Sequence, residues 1–250
     1  MYKLLPKQYW LAGLAIFALF NAAALWVVDQ FNFSMNDWRV ATVSASAAAL
    51  VFAFLFGGTG WWSPWRVCWR VVPFLNTKLF PDLNGIWVGS TRSNWPTIKN
   101  MLDAAQTDNK ITRDELHDTP EQVDAMAIEI KASLFYVKIT GGLSSTNGQS
   151  HSITVRPWKN DHDHLHLTYI YKQETPNPVV TDDETHLGAA DLVIDMENID
   201  KAEGVYWTRR NWKMGLNTAG RLQLRRIRSR KEEGKCLRQY ANEEKTRMVE

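Results

Sequence analysis

"HLHLTYIYK", residues 164–172, carries the pattern on which the fold turns. Leu165, Leu167, Tyr169 and Tyr171 take every second position, with His164, His166, Thr168 and Lys172 between them. A period of two belongs to an extended strand with one dry face, whereas a helix spaces its apolar residues three or four apart. Segments of the same kind recur between turn signals: "GIWVGSTR" (85–92), "AIEIKA" (127–132), "LFYVKIT" (134–140), "HSITVR" (151–156), "ADLVIDM" (190–196), "GVYWTRRNW" (204–212) and "GRLQLRRI" (220–227). With Ser133 as a bend between two of them, the total is eight strands. No helical pattern of consequence interrupts residues 127–227, so sequential antiparallel pairing is the economical topology. Eight strands with glycine-bearing turns fit an all-β domain closed as a small antiparallel β-barrel, filled by side chains or holding one small ligand; a two-sheet sandwich is the other arrangement.

Upstream the chain changes solvent. Gln8 through Val28 contains no charged residue, and "VATVSASAAALVFAFLF" from Val40 to Phe56 is uncharged as well. The first run is about 20 residues, which as a helix spans a hydrocarbon core of roughly 30 Å. It is longer than the core of a secretory signal, and the second run follows after a short polar loop, so a transmembrane hairpin is expected over residues 1–72, with helices at about 9–28 and 40–60. Lys3 and Lys7 before the first helix, and Arg66, Arg70 and Lys78 after the second, place both termini in the cytoplasm. Trp61, Trp62, Trp65 and Trp69, with Arg66 and Arg70, suit headgroup depth at the exit of the second helix.

Residues 73–84 read as a linker, 85–228 as the barrel and 229–250 as a charged tail, either a solvated helix or disordered. Residues 97–125 are polar and acidic with weak helical character, an excursion across one mouth of the barrel. The net charge of +2 over 250 residues averages unlike segments and names no partner. The two cysteines, Cys68 and Cys236, lie far apart, and a disulfide is not expected.

Several constellations invite a functional reading beside a structural one. Ala41, Ala45, Ala49 and Ala53 recur every fourth residue, a ridge that lets helix backbones approach closely in lipid; with Asn21 it serves either assembly between copies or the hairpin itself. His162, His164 and His166 have strand spacing that zinc could use, but an outward polar face explains them without a metal. In "GVYWTRRNW", Tyr206, Thr208 and Arg210 share one face and Val205, Trp207 and Arg209 the other. Either face offers an aromatic for stacking and a guanidinium for phosphate, and alternation within the segment leaves the choice open. Tyr169 and Tyr171 add stacking surface. "RRIRSRK" (225–231) reads as a solvated strand end or a contact for anionic headgroups. No nucleophile elbow, phosphate-cradling glycine loop or metal quartet is present, so no catalytic residue, metal or cofactor is expected.

Two N-terminal membrane helices before an eight-stranded barrel, with "LNGIWVGS", "LTYIYKQETPN", "HLGAADLVID", "EGVYWTRRNWKMG" and "AGRLQLRR" in that order, resemble the membrane effectors of cyclic-oligonucleotide-based antiphage signalling (CBASS) in bacteria. Those effectors carry a SMODS-associated cyclic-dinucleotide-sensing barrel. The resemblance implies a cyclic dinucleotide ligand made by a partner synthase, homo-oligomerisation in the inner membrane, bilayer disruption, and growth arrest or death of the infected cell, with no DNA or RNA bound. It favours Tyr206, Thr208 and Arg210 as the ligand face, supported by Tyr169, Tyr171 and Trp87, with Ser144 and Ser145 of a serine-rich turn bonding phosphate. "GIW" is also similar to the first strand of lipocalins, so a membrane-tethered, lipocalin-like binder of a lipid or apolar metabolite is the alternative.

Overall fold

The structure, a computed structural model, describes residues 64–74, 76, 80–107, 110–132, 137–160, 164–178, 182–195, 197–227 and 232–249, with helical positions at 18, 19, 21–23, 26, 30, 43, 44 and 46–48. Most of the expected hairpin, including Ala41, Ala45, Ala49, Ala53, Trp61 and Trp62, lies outside the described residues; Asn21 is helical and half-buried. Among the described residues no helix is long and apolar enough to cross a membrane. The chain divides into two compact units, Met1–Asp82 with Ala132–Tyr136, and Leu83–Lys131 with Val137–Glu250.

In the first unit, helix α1 (Pro64–Val71) carries the tryptophan-arginine cluster. Trp65 and Trp69 meet edge to face with ring centroids 5.7 Å apart. The Trp69 indole N–H donates to the Phe80 carbonyl at 2.7 Å, and the Arg66 guanidinium reaches the Asp82 carboxylate at 2.8 Å. Asn76 donates to the Trp69 carbonyl at 3.1 Å and accepts from the Asp82 backbone N–H at 3.2 Å. Asn76, Phe80 and Asp82, read from sequence as part of a linker, are therefore tied to α1; Trp65, Arg66 and Trp69 are buried, while Arg70 is exposed.

The second unit is a closed barrel of eight strands in sequence order. The strands are β1 (Gly85–Ser93), β2 (Gln122–Ala132), β3 (Val137–Leu143), β4 (Gln149–Lys159), β5 (Leu165–Glu174), β6 (Thr185–Ile194), β7 (Lys201–Arg209) and β8 (Ala219–Ile227). β8 pairs antiparallel with β1, from Ile86 opposite Ile227 to Ser93 opposite Gly220, which closes the sheet. β5 shows why the residues choose this form: Leu165, Leu167 and Tyr169 are buried inward, and His166, Thr168 and Ile170 face out. On that outer face Asp191 accepts from the Thr168 hydroxyl at 2.6 Å and meets His166 Nδ1 at 2.8 Å, and His166 stacks on Trp158. His166 is thus occupied by strand neighbours.

Two helices, α2 (Trp95–Thr107) and α3 (Arg113–His117), connect β1 to β2. α3 is opened by a reciprocal capping box: Glu115 N–H donates to the Thr112 hydroxyl at 3.3 Å, and Thr112 N–H to the Glu115 carboxylate at 2.8 Å.

The C-terminal segment takes the helical one of its two expected forms and adds a packed face. Residues Leu237–Val249 form helix α4, and Leu237, Tyr240 and Ala241 pack on the outward face of Ile86, Val88 and Ala127, with Ile227 at the margin. Glu244 of α4 receives Arg225, and Tyr240 Oη accepts from Glu232 N–H at 2.8 Å. Over these residues the tail is a helix, largely exposed, with only Leu237, Tyr240, Ala241 and Glu244 buried. Its three apolar anchors fall at 237, 240 and 241, helical spacing that the surrounding charges obscure. Arg225 and Arg226 of the basic cluster serve the fold: Arg226 bonds the Asn84 carbonyl and lies 3.8 Å from Asp200.

Candidate ligand-binding site

Inward-facing residues change character along the barrel axis. At the end where the chain enters, Trp87, Ile128, Leu165, Leu167, Leu192 and Ile194 are all at most 1% exposed and plug the interior. The Trp87 indole donates to the Leu83 carbonyl at 3.0 Å, and the Arg226 guanidinium lies 6.0 Å from its ring centre. Each such side chain withdrawn from water contributes about 1.5–3 kcal/mol before entropy is counted. Toward the other end small residues and polar groups replace these, and a cavity of about 430 Å³ opens among Thr91, Asp124, Tyr169, Tyr171, Tyr206 and Arg210. That volume falls within the range of roughly 300–1,000 Å³ common for small-molecule sites.

β7 settles which of its faces looks inward. Ala202, Gly204, Tyr206 and Thr208 point in, while Lys201, Glu203, Val205, Trp207 and Arg209 are exposed. Thr208 is fixed by Thr218, accepting from its backbone N–H at 3.0 Å. Arg210 follows at the rim, its guanidinium 5.2 Å from the centre of the Trp95 ring and 3.5 Å from Asp182. Trp95 reaches that place because Asn94 exchanges hydrogen bonds with Ala219, N–H to carbonyl at 3.1 Å and Ala219 N–H to Oδ1 at 2.9 Å. Asn211, in the left-handed region at φ 41°, donates its N–H to Asp183 at 2.7 Å, joining the β5–β6 and β7–β8 loops.

One buried group in this rim has no sequence forewarning. His186 is 8% exposed, lines the cavity, and stands 3.7 Å from Asp182, too far for a hydrogen bond. His186 Nδ1 and Arg210 Nε are buried without a hydrogen-bond partner. Burial pushes the His186 imidazolium to lose its proton more readily than usual, with Arg210 acting in the same sense and Asp182 and Asp183 opposing. A buried Nε–H without an acceptor is costly, and His186 Nδ1 beside it donates in one of its neutral tautomers, so the mouth of the cavity marks where an acceptor-rich ligand group would sit.

Aromatic walls complete the site. Tyr169 and Tyr171 lie 5.8 Å apart, ring to ring. Both phenols are held far above their ordinary titration range by burial. Tyr171 lies flat over Gly188 of the neighbouring strand, where a Cβ would stand 2.3 Å from its Cζ. On the opposite wall Asp124 accepts the Ser144 hydroxyl at 2.6 Å and the Ser145 hydroxyl as well.

Of the residues singled out in the sequence, Tyr206, Thr208, Arg210, Tyr169, Tyr171 and Ser145 line one cavity. Two are placed otherwise. Trp87 is 0% exposed and belongs to the plug, its N–H already used by Leu83, so it does not reach the cavity. Ser144 supports Asp124 from behind and does not line the cavity. Asp124, His186, Asp182 and Trp95 were missed. Asp124 is preceded by no strand signal, because polar inward residues break the alternation where they face a cavity and not a core.

A barrel plugged at one end and open at the other onto a cavity with a guanidinium, carboxylates and tyrosine rings belongs to the class of small-ligand-binding barrels. The Cap15 cyclic dinucleotide receptor domain matches residues 78–226. The chain is also 30% identical over 177 residues to CD-NTase-associated protein 15 of Escherichia albertii, an alignment covering 70% of this chain and 74% of that protein. The chain belongs to the Cap15 family of CBASS effectors.

Proposed function

We propose that the barrel is the receptor of a cyclic dinucleotide second messenger, and that its occupation promotes assembly through the N-terminal helices and disruption of the inner membrane. The observation that carries the binding step is the cavity itself: Arg210, half-buried at the rim over Trp95 with a buried, unsatisfied Nε, stands above walls made of Tyr169, Tyr171 and Tyr206. A cyclic dinucleotide combines two phosphodiesters with two flat bases. A guanidinium fork matches the first and phenol rings the second. The charged and hydroxyl groups of the lining weigh against an apolar metabolite, which would leave Arg210 Nε and His186 Nδ1 dry and unmatched.

Membrane disruption rests on the two uncharged runs of the sequence and on the family. A ligand that prefers the assembled form shifts the population toward it by mass action, and the alanine ridge gives the helices a surface on which to pack. In this reading both termini lie in the cytoplasm, a nucleotide synthase supplies the ligand, and the barrel binds without turning over.

Binding is tested by calorimetry on the purified full chain with a panel of cyclic dinucleotides, and turnover by recovering the ligand intact afterwards. Arg210→Ala should weaken binding at least tenfold, the scale of one lost charge-assisted bond of about 1.5–3 kcal/mol, while the melting temperature stays within a few degrees. An unaltered affinity would remove Arg210 from the site. Protease treatment of sealed inverted vesicles should cut the barrel, and a protected barrel would refute the orientation.

A further inference from the structure

Resting on the cyclic dinucleotide reading, we infer that Asp124 reads a base, and that the base is guanine. Asp124 faces inward from β2, directly opposite Thr91 of β1, and both line the cavity. The residue is 9% exposed. Its two oxygens each receive one hydroxyl, Ser144 on Oδ1 and Ser145 on Oδ2, and Ser144 N–H is anchored to the Ala125 carbonyl at 2.9 Å. Among the described residues no lysine, arginine or histidine pairs with it. An ionised carboxylate offers about four acceptor positions, so two remain, and a buried carboxylate without a cation is stable only if such positions find donors.

The ligand's phosphates cannot supply them, being acceptors that carry the same charge. They belong at the rim, where Arg210 and His186 hold unmatched nitrogens. The ribose hydroxyls offer only single, separated donors, so the two adjacent positions left on Asp124 are assigned to a base edge. Guanine sets N1–H and the N2 amino group side by side, two donors at the spacing of two carboxylate oxygens. Adenine sets one amino donor beside a ring acceptor, which would aim a lone pair at the second oxygen; cytosine does the same, and uracil offers one N–H between two carbonyls. Only guanine fills both positions without repulsion. The two serines hold the carboxylate rotamer in advance, so the selectivity is built in before the ligand arrives.

The test measures the purified full chain, by calorimetry, against 3′,3′-cyclic di-GMP, 3′,3′-cyclic GMP–AMP and 3′,3′-cyclic di-AMP. Wild type should bind the best guanine-containing ligand at least roughly tenfold more tightly than cyclic di-AMP. Asp124→Asn keeps the shape and an acceptor for a serine but replaces one acceptor with a donor; it should weaken that ligand by roughly tenfold or more while cyclic di-AMP changes little. Parity between guanine and adenine ligands in wild type overturns the inference while leaving the receptor reading intact. So does an equal loss for all three ligands in D124N, the signature of a purely structural carboxylate. Should D124N fail to fold, the wild-type ratio alone decides. Binding of none of the three, nor of any other cyclic dinucleotide, overturns both readings together.

Discussion

Replacing Gly188 with alanine should disturb the barrel and its cavity through one contact. Gly188 lies opposite Tyr171 in the β5–β6 ladder, and the Tyr171 ring covers it. An added Cβ would stand 2.3 Å from Tyr171 Cζ, 2.4 Å from Oη and 2.7 Å from Cε2. Carbon atoms rest about 3.5–4.0 Å apart, so the ring must retreat by an ångström or more, and the direction open to it is the cavity. Such overpacking costs roughly 1–3 kcal/mol. At 2–4 °C per kcal/mol for a domain of this size, the melting temperature should fall by roughly 2–12 °C, and binding of a cyclic dinucleotide should weaken with it. The discriminating assay is a double-mutant cycle: in a Tyr171→Ser background the alanine has nothing to strike and should cost under about 0.5 kcal/mol, a coupling near or above 1 kcal/mol. A Gly188→Ala protein that melts with wild type, with coupling near zero, would refute the reasoning.

Other perturbations reach the remaining elements. Leu237→Ala, removing the buried anchor of α4 on Ile86 and Val88, should cost about 2–4 kcal/mol in urea unfolding, and a loss under about 0.5 kcal/mol would mean that the helix is not part of the folded barrel. His186 resists protonation in the folded chain, so the unfolded chain takes up the proton first as pH falls below about 6.5. Stability should therefore decline from pH 6.5 downward, by at most about 1.4 kcal/mol per pH unit from this group, until folded His186 also titrates. In His186→Gln that share of the decline should vanish, and an unchanged profile would contradict the lowered affinity for protons. Ala45→Leu with Ala49→Leu should leave ligand binding intact yet abolish toxicity in cells, and full toxicity would confine the ridge to the hairpin itself.

How far the sequence discloses the barrel depends on what each face touches. β5 and β6 read cleanly because Leu165, Leu167, Leu192 and Ile194 meet a core on one side and water on the other. β2 reads late: only 127–132 has the pattern, yet the strand begins at Gln122, since Gln122 and Asp124 face the cavity and look from sequence like loop. β3 is displaced for a related reason, as Gly141 and Gly142 continue the strand where glycines suggest a turn. The ambiguity of 204–212 dissolves three residues upstream. Lys201 and Glu203 share the phase of Val205 and Trp207, and two adjacent charges of that phase mark it as outward. The buried face of α4 stayed hidden because three apolar anchors among charged neighbours do not make a stripe. His186 and Trp95 could not be foreseen at all, since their meeting with Arg210 joins the start of β6, the start of α2 and the end of β7, which are distant in sequence.

Closure of the sheet also limits how copies of this protein can meet. Among the described strands each has a neighbour on both sides, with β8 returning to β1, so the ladder offers no row of free N–H and C=O groups to a second barrel. Polymerisation by strand addition, the commonest hazard of exposed sheet, is thereby closed off. Any filament or ring of barrels would have to be stitched by side chains, whose fit can be tuned residue by residue.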